Sequence, residues 1–575
     1  MSIIKSYGSG DATGSFYTKT LANSLRFNEG QNANTTDSSY LTKAAVTPTS
    51  AYKWTLSVWI KRSVLHAEGS SAGIISSNVN GEQLTFSNDN LHYTHYASSA
   101  TRISIITNNA FRDTSNWYHV VCAVDHSNST TDDKAIIYVN GVRQTLSTNT
   151  IASGTYNSTL LTATNVITIG KERVGSHFTG YMAEMHFVDG QQLTPTTFGE
   201  TKQGVWIPKT ISNLTYGNNG FYLNFGNSSA IGEDSAGSND YTAYNLNDYD
   251  IVPDTPTNNW STLNPLIPIA NGSLSEGNLK FTASSSWGGS KSSIAIPSTG
   301  KWYAEMRVGS TTSNSAQVQF VVARMSTANG YDTTERYGFE FNNGFFVVTG
   351  SSYSTNGGFT TPAGKIIQLA IDSDAGKIWF GYGNTYYRLY NATDGNPSAG
   401  TNESVSGLNF STTDYAISFQ AQGSQSGVLN FGQDGSFAGA LTGGDVGTTA
   451  DANGKGAFKY APPTGFLALC SSNLPDVTLS ANEDEQPNDY FQNKVYTGSG
   501  ASFSVTGINF KPDFTWIKNI TDSSTNHVLV DSSRGSSKEL QLPTTGAETT
   551  EGWISAYTGD GFTHTAQSGA TQQVV

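Results

Sequence analysis

The chain has 575 residues, of which 13% are charged, and its 31 Lys and Arg against 45 Asp and Glu give a formal net charge of −14. A chain this long exceeds what one hydrophobic core supports, so three or four domains are expected. Because the balance is acidic and no basic cluster occurs, binding to the phosphate backbone of nucleic acids is disfavoured.

The composition predicts the fold class. Glycine, tyrosine and phenylalanine are abundant, with 59, 28 and 28 copies, which is typical of many short strands joined by tight polar turns. No heptad repeat or helical apolar stripe of useful length occurs. We therefore predict an all-β chain of tandem antiparallel sandwiches with a further small β module. Apolar runs are only strand-sized, so no membrane insertion is expected. Cys122 and Cys470 lie in apolar runs and are predicted to be buried thiols.

Residues 1–22 are polar and rich in glycine, with Tyr7, Phe16 and Tyr17 as their aromatic side chains. Two interpretations stay open for this segment: a loose tail, or an arm that anchors the protein to a larger particle. The first residues lack the apolar core and cleavage pattern of a secretion signal, so export by that route is not expected.

Residues 23–254 carry alternating apolar and polar positions. Residues 54–62 place Trp54, Leu56, Val58 and Ile60 on one face, and residues 117–125 repeat the pattern. Further along, Asn140-Gly141 separates two apolar runs and is the dipeptide that best suits a type I′ hairpin turn. The segment is predicted to be an antiparallel β-sandwich.

These strands also resemble a known family. In order, residues 54–62 and 117–125, the Asn140-Gly141 hairpin, and residues 167–170 and 180–189 look like a concanavalin A-like, laminin G-like jelly roll of the version common in bacteriophage structural proteins. The resemblance runs from about Ser24 to about Asp254. It implies a scaffold that binds a ligand rather than one that catalyses a reaction.

The resemblance also implies a calcium ion at the loop rim. Ca²⁺ prefers oxygen ligands from carboxylates, amides and carbonyls. Asp125 ends a predicted strand, and Asp132 and Asp133 lie in the loop that follows. These three side chains are the predicted ligands, and an ordinary solvated turn is the alternative.

Residues 255–270 hold three prolines beside Asn, Ser and Thr, which predicts a linker that crosses the surface. Residues 271–475 then read as a second β domain, in which residues 301–308 alternate. Asn343-Gly344 and residues 374–376 supply two further hairpin turns.

Residues 301–308 and 376–383 resemble a SPRY domain, another two-sheet sandwich that usually recognises partners through its loops. The ending, residues 458–475, is similar to the segment that closes such domains in phage proteins. If this domain binds glycans, loop aromatics stack on sugar faces while amides and carboxylates bond hydroxyl groups. The candidates, for which ordinary core packing is the alternative, are Tyr331, Tyr337, Tyr353, Tyr386 and Tyr387.

Residues 476–490 include the acidic run Glu483-Asp484-Glu485 and are predicted to be a solvated linker. Residues 491–575 resemble a C-terminal module that follows the SPRY-like domain in phage proteins. That pattern includes a further aromatic strand, which this sequence lacks, so the module is expected to be incomplete.

No strong catalytic motif occurs, whether a phosphate-binding loop, a nucleophile elbow or a zinc-binding helix motif. His92 and His95 form the only close histidine pair, but residues three apart on a strand face opposite sides. This favours packing at a sheet edge over a shared metal. Glu184, Glu305 and Glu340 each stand alone on a predicted strand, whereas retaining glycosidases need two carboxyl groups about 5 Å apart. We expect a protein without enzymatic activity.

The order of the domains resembles a bacteriophage tail fibre or a comparable virion appendage. The resemblance implies recognition of a host-surface glycan or receptor, attachment to other virion proteins through the N-terminal arm, and a homo-oligomer, for which a trimer is usual in phage fibres. It also implies assembly in the host cytoplasm and release by lysis. Two classes stay open beside it: a structural capsid, neck or tail decoration or spacer without receptor binding, and a polysaccharide-degrading enzyme.

Overall fold

The computed structural model describes most of the chain. The described residues are 16–28, 38–65, 71–78, 81–97, 100–173, 175–202, 204–267, 269, 271–309, 317–326, 335–342, 345–349, 352–356, 363–388, 393–475, 490–520, 524 and 526–566. The chain divides into two compact units, Met1–Pro475 and Asp476–Val575. No helix in the described ranges is long and apolar enough to cross a membrane.

The first unit begins with a β-sandwich that spans the predicted laminin G-like segment. Its strands are β1 (Ser24–Phe27), β2 (Tyr40–Ala44), β3 (Lys53–Arg62), β4 (Ser71–Ser77), β5 (Gln83–Ser87), β6 (Asn90–Ala97), β7 (Ala100–Ala110), β8 (Tyr118–Asp125), β9 (Ala135–Val139), β10 (Val142–Arg143), β11 (Leu146–Ile151), β12 (Val166–Ile169), β13 (Gly180–Asp189), β14 (Gly199–Lys202), β15 (Val205–Pro208), β16 (Phe221–Leu223), β17 (Thr242–Tyr244) and β18 (Ile251–Val252).

Two eight-stranded antiparallel sheets face each other in this sandwich. The first sheet has the order β10-β9-β8-β3-β13-β1-β18, with β16 beside β13, and the second has the order β11-β7-β6-β5-β4-β12-β2-β17. Leu, Ile, Val, Phe and Trp side chains from both inner faces form one apolar core. Because alternate residues of a strand face opposite sides, the residues of the second sheet that do not enter this core form its outer face.

The second sandwich of this unit has strands β19 (Gly272–Ser275), β20 (Lys280–Ala283), β21 (Gly288–Lys291), β22 (Lys301–Val308), β23 (Gln317–Arg324), β24 (Arg336–Asn342), β25 (Phe345–Thr349), β26 (Ser352–Asn356), β27 (Ile366–Asp372), β28 (Lys377–Tyr382), β29 (Thr385–Tyr387), β30 (Tyr415–Gln422), β31 (Ser426–Asn430) and β32 (Leu467–Ala468). They form the sheets β19-β20-β31-β22-β27-β28-β29, with β32 parallel to β22, and β21-β30-β23-β24-β25-β26.

The second unit holds two three-stranded sheets, β33-β38-β37 and β34-β35-β36. Their strands are β33 (Phe503–Val505), β34 (Phe514–Ile517), β35 (His527–Asp531), β36 (Glu539–Leu542), β37 (Ile554–Thr558) and β38 (Gly561–His564). In the described part of the chain, helix is limited to single 3₁₀ turns at Thr131–Asp133, Pro195–Thr197, Asp248–Asp250, Gly443–Asp445 and Ser471–Asn473. The all-β fold class is confirmed.

Turn chemistry agrees with two of the three predicted hairpins. Asn140 and Gly141 both adopt positive φ, at 49° and 80°, between the paired strands β9 and β10, as a type I′ turn requires. Gly376 has φ of 64° between β27 and β28. Asn343-Gly344 lies outside the described residues, although the strands on either side of it pair.

The segment predicted as a surface linker differs from that prediction. Thr255, Trp260 and Leu263 are at most 1% exposed, and the indole of Trp260 donates to the carbonyl oxygen of Pro253. Residues rich in Pro, Asn and Thr avoid regular strands, which signals irregular backbone rather than exposure. Cys470, which forms an isolated bridge with Trp260, is buried, as is Cys122, and both are free thiols.

The described end of the predicted N-terminal arm is bound to the first sandwich. Lys19 contacts Glu184, and Thr18 contacts Glu200. The backbone N–H of Leu21 donates to Oγ1 of Thr257 over 3.0 Å, and the Leu21 side chain is buried. Residues 1–15 lie outside the described residues, so attachment to a particle stays a prediction.

Candidate functional site

A row of polar side chains crosses the outer face of the second sheet of the first sandwich. Cross-strand pairing places one hydroxyl or amide residue from each of the eight strands side by side. We call this set the polar row. In spatial order its members are Thr242, Thr42, Thr168, Ser76, Gln83, Thr94, Ser104 and Thr150.

The neighbouring row points the other way and is apolar. Leu41, Ile169, Ile75, Leu84, Tyr93 and Ile105 pair in this order across six of these strands and are 0% exposed. The alternating apolar and polar residues of neighbouring strands are therefore in register across the sheet, so that the apolar row lies in the core and the polar row faces outward. Hydroxyl and amide groups offer both donors and acceptors, which suits recognition of sugar hydroxyls.

A loop lies over part of this face. It runs from Lys171 to His177, which form a bridge with each other, and residue 174 is outside the described residues. The hydroxyl of Ser76 donates to the carbonyl oxygen of Lys171 over 2.8 Å. Ser76 is consequently only 1% exposed, and the loop forms a wall beside the more open positions Gln83, Thr94 and Ser104.

An aromatic ring and two guanidinium groups lie beside the polar row, next to its members Gln83, Thr94 and Ser104. We call Tyr96, Arg102 and Arg173 the arginine corner. Tyr96 is 41% exposed. A Cβ atom built on Gly81 would lie 3.6 Å from Cβ of Tyr96 and 3.9 Å from Nε of Arg173, so both side chains border the space above this glycine. Nε of Arg102 donates to the carbonyl oxygen of Ala97, next to Tyr96, over 3.2 Å.

One end of the sheet carries a stacked aromatic pair. The rings of Tyr40 and Tyr244 lie 4.7 Å apart with an interplanar angle of 7°. The ammonium group of Lys171 lies 4.7 Å from the centre of the Tyr40 ring. Tyr244 is 43% exposed, so this edge also offers a ring face to a ligand.

The two neighbouring histidines face opposite sides of the sheet, as the strand geometry predicted. His92 lies on the outer face and bonds Ser104 over 3.0 Å, whereas His95 is fully buried and stacks on His126 at 4.4 Å. Burial lowers the pKa of His92, so it is a neutral hydrogen-bonding group at pH 7.

The predicted aromatic ligands are not gathered at loops. Tyr337 lies on β24 and packs edge-on to Tyr415, and Tyr387 on β29 packs against the core of the second sandwich. Tyr386 is largely buried, and burial raises its pKa well above the usual range. Tyr353 lies on β26, with its side chain outside what is described, and Tyr331 lies outside the described residues. Tyr386 and Tyr387, which are neighbours on β29, face opposite sides of the sheet and pack against two different apolar clusters.

The predicted calcium ligands are engaged elsewhere. Asp125 pairs with Lys53 at 3.0 Å and accepts from Ser127; burial opposes ionisation, but these hydrogen bonds lower its pKa. Asp133 pairs with Arg143 at 2.9 Å, and Asp132 accepts from Asn149. Within the described ranges no group of three or more His, Cys, Asp or Glu is placed to hold a metal ion. The structure thus does not bring these carboxylates together.

Glu184 lies in a polar cluster that the sequence did not indicate. Its carboxylate accepts from the hydroxyl of Tyr222 over 2.7 Å and from Nε2 of His186 over 3.1 Å, while Nδ1 of His186 bonds the hydroxyl of Tyr216 over 2.8 Å. A carboxylate, an imidazole and a hydroxyl in series resemble a proton relay. Burial and the charge of Glu184 raise the pKa of Tyr216, which makes this hydroxyl a poor nucleophile.

A cavity of about 290 Å³ opens beside β17. Its carboxylates are held by their own loop, since Glu233 accepts from Asn227 and Asp240 accepts from the backbone N–H of Asp234. The cavity is small for a ligand site. Its lining residues are Ser228, Ser229, Ala230, Ile231, Gly232, Glu233, Asp240, Tyr241 and Ala243.

Comparison with protein families agrees with this architecture. Residues 33–197 match the concanavalin A-like lectin/glucanases superfamily, and residues 486–574 match a domain of unknown function (DUF7483). No curated protein is similar enough to this chain to count as a relative.

Three solved structures are similar in fold at low identity. A Bacteroides ovatus protein proposed to bind carbohydrate is 14% identical, with a TM-score of 0.29, and the match covers 39% of this chain and 58% of that one. The SPRY domain of human HERC1 is 15% identical, with a TM-score of 0.21, over 29% of this chain and 96% of that one. The LG1-3 region of the laminin α2 chain is 10% identical, with a TM-score of 0.27, over 75% and 65%. The chain spans little more than half of the length of the first of these proteins.

Proposed function

We propose that this chain is a carbohydrate-binding protein without enzymatic activity, carried on a bacteriophage particle as a tail fibre or similar appendage. The observation that carries the binding role is the polar row. Ser76 and Thr168 are buried, but Gln83, Thr94, Ser104 and Thr150 stay open on four neighbouring strands. With the exposed rings of Tyr96 and Tyr244 on the same sheet, they offer hydrogen bonds and ring stacking to a saccharide.

The place on a phage particle is supported by the order of the laminin G-like sandwich, the SPRY-like sandwich and the C-terminal module. On such a particle many copies act together, so weak binding by each copy adds up to firm adhesion. The absence of a catalytic motif in the sequence and the poor nucleophile at Tyr216 support a binding role over hydrolysis.

The test uses the labelled full chain and an array of neutral and acidic polysaccharides, with and without EDTA. We expect saturable binding that Gln83→Ala and Thr94→Val each weaken roughly tenfold, the effect of losing one or two hydrogen bonds in a desolvated site. Thr201→Val, on the exposed strand β14, is the matched control. Binding that survives both polar-row variants unchanged would contradict this site, and product release from a bound polysaccharide would contradict the non-enzymatic role.

A second candidate, a structural role in the particle, is favoured by one observation. In the second unit, register aligns Trp516, Leu529 and Leu540 on one face of the sheet β34-β35-β36, with Phe514 and Leu542 on either side. Trp516 and Phe514 are 59% and 55% exposed. An apolar centre with a polar rim is the anatomy of a protein interface.

The occupant proposed for this face is a second copy of the chain. Asp531, which pairs with Arg534 at 2.6 Å, lies at one end of the apolar strip and His527 at the other. A two-fold pair of strips sets the Trp516 and Leu529 side chains of each copy against those of its partner. We expect Trp516→Lys to lower the molar mass measured by light scattering, while Tyr244→Lys on the first sandwich leaves it unchanged. A monomer in both cases would contradict the structural candidate and leave glycan binding standing.

A further inference from the structure

The charges around the polar row are one-sided. None of the eight strands of this sheet contains an Asp or a Glu, although the chain has 45 of them. Lys43 and Arg102 are the only charged residues on these strands, and Arg102 lies two residues along β7 from Ser104 of the polar row. A face without carboxylates is unusual in a protein with a net charge of −14 and favours approach of an anion.

The loop from Lys171 to His177 strengthens this bias. Arg173 is exposed, and its backbone N–H points to the Oε1 atom of Gln83 at 3.5 Å. Glu172, between two cations, is 6% exposed and accepts from the hydroxyl of Ser71 over 2.9 Å. The cation Arg173 of this loop is therefore accessible to a ligand, whereas the carboxylate of Glu172 is buried and hydrogen-bonded to Ser71.

Arg102 and Arg173 are not neutralised by any carboxylate in the described part of the chain. Surface arginines elsewhere in this unit do have such partners, as Arg143 has Asp133 and Arg112 has Asp89. Guanidinium groups bind carboxylates and sulfates through paired N–H donors. Beside them Tyr96 supplies a ring face, and Gln83, Thr94 and Ser104 supply groups that bond sugar hydroxyls.

We propose that the arginine corner selects anionic saccharides, with Arg102 and Arg173 binding the acidic substituent while Tyr96 stacks on the ring that carries it. This rests on the proposed glycan-binding function and names the class of sugar.

The test compares four immobilised saccharides that differ in charge: oligogalacturonides, their methyl esters, dextran and dextran sulfate. The methyl esters keep the sugar and remove the negative charge. With the full chain we expect binding to the oligogalacturonides at least tenfold tighter than to their esters, weakening as salt is raised. Binding to dextran sulfate alone would show that the anionic group bound by the arginine corner is a sulfate and not a carboxylate.

Variants locate the effect. Arg102→Gln and Arg173→Gln are each expected to weaken binding of the acidic saccharide roughly tenfold and to leave the ester unaffected. Arg173→Lys, which keeps the charge, is expected to retain part of the preference, and Arg143→Gln, an exposed arginine of the same sandwich, is the matched control. Unfolding curves of each variant check that the sandwich is intact.

Equal affinity for the acid and its ester, or a preference for dextran, would overturn this inference and leave glycan binding standing. A charge preference unchanged in both arginine variants would overturn it as well. Binding to none of the four saccharides would overturn the inference together with the proposed function.

Discussion

Arg26 and Asp434, 408 residues apart in the sequence, form an ion pair of 2.9 Å in which the side chains are 0% and 3% exposed. Arg26 also bonds Asp250 at 3.3 Å within its own sandwich. A second buried cation, Lys61, binds Asp254 over 2.8 Å and the carbonyl oxygen of Trp260 over 2.9 Å. These contacts explain why the two sandwiches of the first unit form one compact body, which holds the polar row on a fixed support.

Asp434→Asn is expected to lower the free energy of unfolding of the first unit by about 1.5–3 kcal/mol, because Arg26 loses a charged hydrogen bond to one of its two buried carboxylate partners. The measurement is urea unfolding followed by tryptophan fluorescence. Asp133→Asn, which breaks an exposed pair with Arg143, is the control and is expected to cost at most about 1 kcal/mol. Similar losses in the two variants would contradict a central role for the buried pair.

Much of the fold could be predicted because its signals are local. Alternation in residues 54–62 identifies β3, and the positive φ that Asn140-Gly141 tolerates identifies the hairpin of β9 and β10. Trp260 shows where this reasoning ends. Its neighbours have the composition of a loop, and only the contact with residues near Cys470, 210 positions away, makes that loop part of the core.

The candidate site depends on register, which a single sequence does not determine. Thr94 and Ser104 are ordinary polar positions of separate strands until pairing places them side by side. Arg173 reaches the same part of the sheet through a loop that follows β12. For the predicted tyrosines residue type suggested sugar stacking, whereas the face on which each ring lies is decided by strand pairing, so their role as ligands stays a prediction.

His126 is expected to make the first unit sensitive to acid. Burial lowers the pKa of His126 to about 4 from an ordinary 6.5, and its ring bonds Tyr93 over 2.9 Å inside the core. Between pH 6.5 and 4, His126 is protonated in the unfolded chain but stays neutral in the folded chain. The free energy of unfolding is therefore highest above pH 6.5 and falls by about 3 kcal/mol toward pH 4. We expect His126→Gln to lose less stability than the native chain between pH 7 and pH 4. An identical loss would show that this histidine does not control acid unfolding.

Glu305, in the second sandwich, is expected to lower the stability of the first unit as pH rises, whereas His126 lowers it as pH falls. Burial raises the pKa of Glu305 from 4.5 to about 7, although it accepts from Tyr303 and from the backbone N–H groups of Lys459 and Tyr460 at 2.8–2.9 Å. The folded state keeps its proton between pH 4.5 and 7 while the unfolded state releases it, so stability is present below pH 4.5 and declines as pH rises through 7.

Glu305→Gln tests this sign. The amide costs some stability at every pH, because its NH₂ group faces N–H donors. That cost is independent of pH, whereas the loss of about 3 kcal/mol between pH 4.5 and 8 belongs to the carboxyl group. The difference in free energy of unfolding between variant and native chain is therefore expected to shrink, or reverse, from pH 5 to pH 8. A constant difference would contradict the raised pKa.

Glu184 and Lys19 join the N-terminal arm to the first sandwich at a strained position. Glu184 has φ of 50° at a bulge inside the strand β13, a conformation that costs about 1–3 kcal/mol in a non-glycine residue and persists only where surrounding contacts impose it. Burial raises the pKa of this carboxyl, but hydrogen bonds from His186 and Lys19 and their charges lower it to about 2. The contact with Lys19 therefore stays charged at any pH above about 3.

Lys19→Met is expected to release residues 16–22, because a charged hydrogen bond contributes about 1.5–3 kcal/mol. The amide of Leu21, which donates to Thr257, should then exchange with deuterium at least about tenfold faster, since 1.4 kcal/mol corresponds to a factor of ten. Glu184→Gln should act in the same direction, and Lys209→Met, which removes a half-buried lysine that bonds the carbonyl oxygen of Thr196 in the same sandwich, should not. If exchange at Leu21 is unchanged in both variants, the apolar burial of Leu21 against Trp59 and Tyr181, and not the ion pair, holds the arm in place.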